Sequence, residues 1–174
     1  MLQLSKALIN RPVLSLRTGG VIATAVSPII NPNNLKIEGF YCHDCFHKEP
    51  LVLLTQDVRD TLPQGLVVND HDVLVAPDEL VRLKDILALK FELLNKPVVT
   101  VNKKRLGKIN DYAADHESLY IQKLYVAQSL LKSLSSGQLS VDRNQIIEIT
   151  NRHIVVQDPL QPTKAAAATV PVAS

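Results

Sequence analysis

Leu8-Ile9-Asn10-Arg11-Pro12-Val13-Leu14-Ser15-Leu16 returns, conservatively altered, as Leu93-Leu94-Asn95-Lys96-Pro97-Val98-Val99-Thr100-Val101, 85 residues further on. That spacing is too long for a solenoid unit and suits a small domain present twice. The 174-residue chain therefore divides into modules over 1–80 and 81–158, with a Pro- and Ala-rich segment over 159–174. Modules of this size bury only a modest share of their surface and are marginal alone, so the two are expected to lean on each other. The chain is 46% hydrophobic but holds no Trp, three Phe and four Tyr. Its cores must be aliphatic, and Val and Ile favour strands.

Outward from the repeat, Val13 to Arg17, the turn Thr18-Gly19-Gly20 and Val21 to Val26 read as a hairpin, since paired glycines supply positive φ. Ser27-Pro28 and Asn31-Pro32-Asn33-Asn34 mark a break. Leu35, Ile37, Gly39 and Tyr41 then alternate with Lys36, Glu38 and Phe40, the period of a half-buried strand. Leu51 to Leu54 is a short apolar run, and Leu66 to Val68 with Val73 to Val75 reads as a hairpin around Asn69-Asp70-His71-Asp72. In the second module a strand over Leu87 to Leu93 leads into the hairpin Val98 to Val101, Asn102 to Arg105, Leu106 to Tyr112. Leu119 to Val126 follows the turn His116-Glu117-Ser118, and Ile146 to Thr150 pairs with His153 to Val156. An offset of 81 lays Val73-Leu74-Val75 on Ile154-Val155-Val156.

Two helices are expected, Glu79 to Asp85 capped by Asp78 and Ala127 to Leu134. The 159–174 segment has no amphipathic pattern and reads as a disordered tail. Many short strands with turn signals roughly every ten residues imply an all-β fold. Closure removes exposed edges, so the expected architecture is two tandem small β-barrels with short connecting helices.

The pattern apolar-apolar-Asn-Lys/Arg-Pro-Val, a turn, then Leu106-Gly107-Lys108-Ile109-Asn110-Asp111 resembles the opening of the PRC-barrel family. Asp142 to Ile149 followed by His153 to Val156 looks like its closing strands. The resemblance covers 1–80 and 87–158 and is better in the second copy. Asn10 and Asn95 stand where the family has Gly, and Asn tolerates a left-handed turn. The resemblance implies a small β-barrel, found in a subunit of photosynthetic reaction centres and in a ribosome maturation factor. It brings no catalytic residues.

Cys42-His43-Asp44-Cys45-Phe46-His47 is the one segment that suggests chemistry. A Cys-x-x-Cys pair with His47 or His43 supplies three zinc ligands, one short of a structural site, and no second Cys pair exists. Two free thiols is the simpler reading, and no cofactor is expected. The segment reads as an insertion relative to the second copy, where Tyr125 matches Tyr41. Lys103-Lys104-Arg105, with Arg82, Lys84, Lys90, Lys96 and Lys108 nearby, offers phosphate contacts. No aromatic residues interleave with the cluster, and a net charge of +2 is weak for an electrostatic nucleic-acid binder. A solvated hairpin tip explains it more simply. His71 and His153 fall beside the last hairpin of each copy. No nucleophile elbow, phosphate loop or carboxylate pair is present, so no enzyme is expected.

Nothing reaches a membrane-spanning apolar run or a secretory signal, and two cysteines make no disulfide framework, so a cytoplasmic location is expected. The expected function is that of a non-enzymatic adaptor for a protein or ribonucleoprotein, with ribosome assembly or RNA metabolism as the setting the resemblance suggests. A Cys42/Cys45 metal module and direct RNA binding are the rivals.

Overall fold

The computed structural model describes residues 1–128 and 138–159. Strands predominate in it: β1 (Leu2–Leu4), β2 (Arg11–Ser15), β3 (Val21–Asn31), β4 (Lys36–Asp44), β5 (Pro50–Leu54), β6 (Val58–Leu62), β7 (Gly65–Val68) and β8 (Leu74–Val75). The one short α-helix among the described residues, α1 (Lys84–Leu89), precedes β9 (Pro97–Thr100), β10 (Arg105–Asp115), β11 (Ile121–Ala127), β12 (Leu139–Asp142), β13 (Ile146–Ile149) and β14 (Ile154–Val156). Seven strands form one sheet in the order β6-β7-β2-β3-β4-β5-β8. The other runs β12-β11-β10-β9-β14-β13, and β1 leaves the first segment to pair with β10.

The two sheets agree in register as well as order. β2 pairs in parallel with β7, Val13 opposite Leu66, and β9 with β14, Val98 opposite Ile154. Ala25 faces Cys42 and Ser27 faces Tyr41, with a bulge between. Ile109 faces Val126 and Asp111 faces Tyr125, with the same bulge. Val58 and Asp60 straddle a shift against β7, as Ile146 and Glu148 do against β14. A bulge costs ladder pairing and bends its strand, so matching bulges mean matching curvature. The left-handed positions agree too: Asn10 at φ 52 with Asn95 at φ 65, and Gly19 at φ 71 with Lys103 at φ 62.

The repeated basic residue has a structural task. Arg11 donates to the carbonyl of Leu62, and Lys96 Nζ donates to Asn151 O at 2.8 Å. Each ties the opening strand of its sheet to the turn between the last two. Gly107, at φ 145, is held by the strand beside it: a Cβ there would lie 1.9 Å from Ala127 O. Only glycine fits that bulge.

Several expectations need correction. Among the described residues neither ladder closes, and the sheets are open paths ending at β6 and β8 and at β12 and β13. β7 and β8 do not form a hairpin, because β7 lies between β6 and β2 while β8 pairs with β5. The counterpart of β14 is therefore β7, and the offset there is 88 rather than 81 (Leu66 answers to Ile154). His153 consequently answers to Gly65, not to His71. β3 runs through Ser27-Pro28 to Asn31. The shift that follows Ile29 on β3 reverses the facing of β4, burying Phe40 and Cys42 and turning Tyr41 outward. A bulge of this kind is invisible to a strict period of two.

Between the sheets, Pro77–Glu79 and Val81–Leu83 are 3-10 turns, and Asp78 makes no cap bond. The helix expected over Glu79 to Asp85 begins instead at Lys84 and runs to Leu89, through the start of the strand expected over Leu87 to Leu93. Packing of so short a segment against its neighbours overrides propensity. Of the second expected helix, Ala127 ends β11 and Gln128 follows it outside any helix; the rest, like the tail from 160 onward, lies outside the described residues.

One apolar cluster spans both sheets, from Leu8, Val13, Phe40 and Leu53 to Leu93, Ile109, Leu124 and Ile154. Above it, the two long hairpins meet end to end. The Ile37 N–H donates to Leu119 O at 2.9 Å, and the Ile121 N–H donates to Leu35 O at 2.9 Å. Lys36 and Tyr120 form the bridge between them. In register terms Leu35 answers to Leu119, Lys36 to Tyr120 and Ile37 to Ile121. The contact is reciprocal, as a two-fold axis through that bridge requires. Leu35 at φ 54 and Leu119 at φ 58 both adopt the left-handed conformation, at a cost of order 1 kcal/mol each that the pairing offsets.

Arg143 locks the joint: its guanidinium donates to Ile121 O and Asn34 O and sits 5.0 Å from the Tyr120 ring centre. At the other side, Ser5 donates to Asp111 through both its backbone N–H and its hydroxyl. Arg143→Ala removes two charge-assisted bonds and should cost about 2 kcal/mol. Urea unfolding followed by circular dichroism should show one transition at a lower midpoint; a split into two would mean that the sheets unfold separately.

Candidate functional site

The chemistry-bearing residues gather where β4 ends. Asp44 is the last residue of β4 to pair, opposite Ala23, and the Cys45 N–H donates to Ile22 O at 3.0 Å, pinning the loop that follows. Strand alternation turns the Asp44 side chain toward the interior, where it is 1% exposed. His71 enters from the 3-10 turn after β7, and its Nε2 lies 3.0 Å from Asp44 Oδ1. His47, from the loop, places Nδ1 3.0 Å from Oδ2. An ionised carboxylate can only accept, so each ring presents an N–H. Burial opposes ionisation of Asp44, but the Phe46 N–H and the His71 and His47 rings outweigh it and hold the carboxyl below the usual range.

The surroundings fix this arrangement from two sides. Phe46 sets its ring edge-on to His71 at 5.5 Å. The adjacent Asp70 accepts from the His71 N–H and from Arg17 Nη1 at 3.0 Å, with the Ser15 hydroxyl at 3.2 Å, and its pKa is lowered accordingly. One ligand-type atom from each of Asp44, His47 and His71 falls within 4.8 Å of the others.

The sequence candidates are placed differently from one another. Cys42 points into the core, where burial pushes its thiol up to about 12. Its Sγ faces the Phe40 carbonyl at 3.6 Å. Cys45 is exposed. The two thiols of the rival Cys42/Cys45 metal reading therefore lie one in the core and one at the surface, and of the three weak candidates only His47 joins the cluster. Nor is the loop an insertion: β4 and β5 are joined by residues 45–49, whereas 128–138 join β11 to β12. Asp44 and His71 were missed as partners because 27 residues separate them. No local spacing signals that pair; His71 reaches Asp44 from the turn before β8, which pairs with β5 beside β4.

Lys103, Lys104 and Arg105 are exposed at the β9–β10 turn. Thr100 organises that turn by accepting from the Lys103 and Lys104 N–H groups. Lys96 does not join them, since it is bonded to Asn151 O and lies 4.7 Å over the Phe91 ring.

A cleft of about 620 Å³ opens at the joint between the sheets, floored by Pro28, Ile29 and Leu93 and rimmed by Ile9, Ile86 and Leu94. Lys90 and Glu92 stand at its mouth, and Tyr41 and Tyr112 at its walls. Burial raises the Tyr112 pKa, so that phenol stays protonated and offers the cleft a neutral donor.

No family model matches this chain, and no curated protein matches it. Among the described residues no helix is long and apolar enough to cross a membrane. The two thiols give a direct check on the cysteine placement. With a thiol-specific reagent at neutral pH the folded protein should titrate one equivalent, from Cys45, and a second only on denaturation. Rapid reaction of two equivalents in the folded state would contradict the inward facing of Cys42.

Proposed function

We propose that the chain is a non-enzymatic adaptor of PRC-barrel type, its halves a tandem duplication, that binds a protein partner in the cleft between them. The observation that carries this is the cleft itself. It lies at the joint, is lined mainly by aliphatic side chains, and has the half-exposed Ile9 and Leu94 at its rim. Most of the buried apolar side chains of both sheets belong to one shared core, which leaves little interior for a substrate. An apolar floor with a Lys and a Glu at the mouth suits a peptide segment carrying aliphatic anchors between polar residues. The resemblance to a ribosome maturation factor makes a component of a ribonucleoprotein particle the first partner to try, by analogy of fold alone.

Direct RNA binding through Lys103, Lys104 and Arg105 is the second reading, favoured only by their exposure on one turn. Affinity isolation from the native host separates the two. An Ile9→Glu/Leu94→Glu variant alters exposed positions and should keep its melting temperature, yet lose a partner that the wild type retains through nuclease treatment. Charge reversal at Lys103, Lys104 and Arg105 should leave that retention intact. Retention that survives the cleft variant, or disappears with nuclease, would contradict the adaptor reading.

A further inference from the structure

We propose that Asp44, His47 and His71 form a binding site for one divalent transition-metal ion of the zinc type, a property separate from the partner cleft. Two imidazoles and a carboxylate make a borderline-soft donor set that suits zinc or cobalt(II) and disfavours magnesium and calcium. Tetrahedral coordination at about 2.0–2.1 Å puts ligand atoms about 3.4 Å apart. The three donors already lie within 4.8 Å of one another. The required contraction is small, and His47, 73% exposed on its loop, is free to make it. Metal binding exchanges the two N–H···O bonds for two N–metal bonds, each neutral ring then carrying its proton on its other nitrogen.

Two further observations favour a site over a hydrogen-bonded loop closure. First, the carboxylate is preset for ligation. The Phe46 N–H donates to its Oδ1 at 3.0 Å, an outer bond of the kind that orients metal-binding carboxylates. Second, the six-strand ladder common to both sheets does not need the cluster. The second sheet repeats the order β6-β7-β2-β3-β4-β5 and its bulges without it, and among the described residues has no counterpart of β8: Asp44 answers to Gln128 and His71 to Pro159, as the pairings of Cys42 with Ala25, Val126 with Ile109, Leu66 with Val13 and Ile154 with Val98 dictate. Three protein donors leave a coordination position for water or for a group from another molecule.

Zinc chloride and cobalt(II) chloride, titrated into metal-stripped full-length protein at neutral pH, test this by calorimetry and by visible absorption. One ion per chain is expected, with cobalt bands of a nitrogen–oxygen site and no intense thiolate charge-transfer band. His47→Ala and His71→Ala should each weaken binding by about 100-fold or more, by loss of a direct ligand. Cys45→Ser should leave the affinity unchanged. Because His47 is exposed, its variant should retain the wild-type circular dichroism spectrum, separating loss of the site from loss of the fold. No stoichiometric binding by wild type, undiminished binding by both histidine variants, or loss of binding on Cys45→Ser would overturn the assignment.

Discussion

Two backbone hydrogen bonds at the tips of the long hairpins, Ile37 to Leu119 and Ile121 to Leu35, set the architecture. They are made by answering residues of the two sheets, so each sheet offers the other the surface it needs for itself. Such self-complementarity is what a closed two-fold contact demands of identical subunits. Here both partners belong to one chain, so the joint forms without the loss of translational freedom that a dimer pays. The shared aliphatic core and the Arg143 clamp then follow from placing those tips together. So does the cleft, which is the space left where two curved sheets meet at one end.

Much of this was legible in the residues. The repeated Asn-Arg/Lys-Pro-Val segment located both opening strands, and the left-handed φ of Asn10 and Asn95 is the conformation that Asn tolerates best. Short aliphatic runs between turn residues gave most of the strands, but not β1, β6 or β12. Closure was not legible, because whether the end strands meet depends on the sum of bends along each sheet. Those bends come from bulges that composition does not announce. The helix at Lys84–Leu89 was legible but misplaced: Leu80, Leu83 and Ile86 or Leu87 give an apolar stripe, while the alternation from Leu87 onward set the boundary between helix and strand too early.

The site was half legible. Cys-His-Asp-Cys-Phe-His drew attention to the right loop but to the wrong atoms. Strand alternation sends Cys42 inward to apolar neighbours, and Asp44, two residues on, to the same side at the rim, where polar groups can reach it. Which side chain becomes chemically useful was decided by depth along one strand. His71 arrives from the 3-10 turn between β7 and β8, placed by the non-local pairing of β7 with β2 and of β8 with β5, the kind of contact a sequence pattern does not encode. The two halves differ most at this rim.

The central claim is that reciprocal pairing of the hairpin tips fuses two sheets into one cooperative body. Native-state hydrogen exchange of the Ile37 and Ile121 amides measures it most directly. The account predicts that both amides open only with the whole molecule, at equal free energies that match global unfolding. Exchange of either amide at a much lower free energy than that of the Val13 and Val98 strands would contradict it.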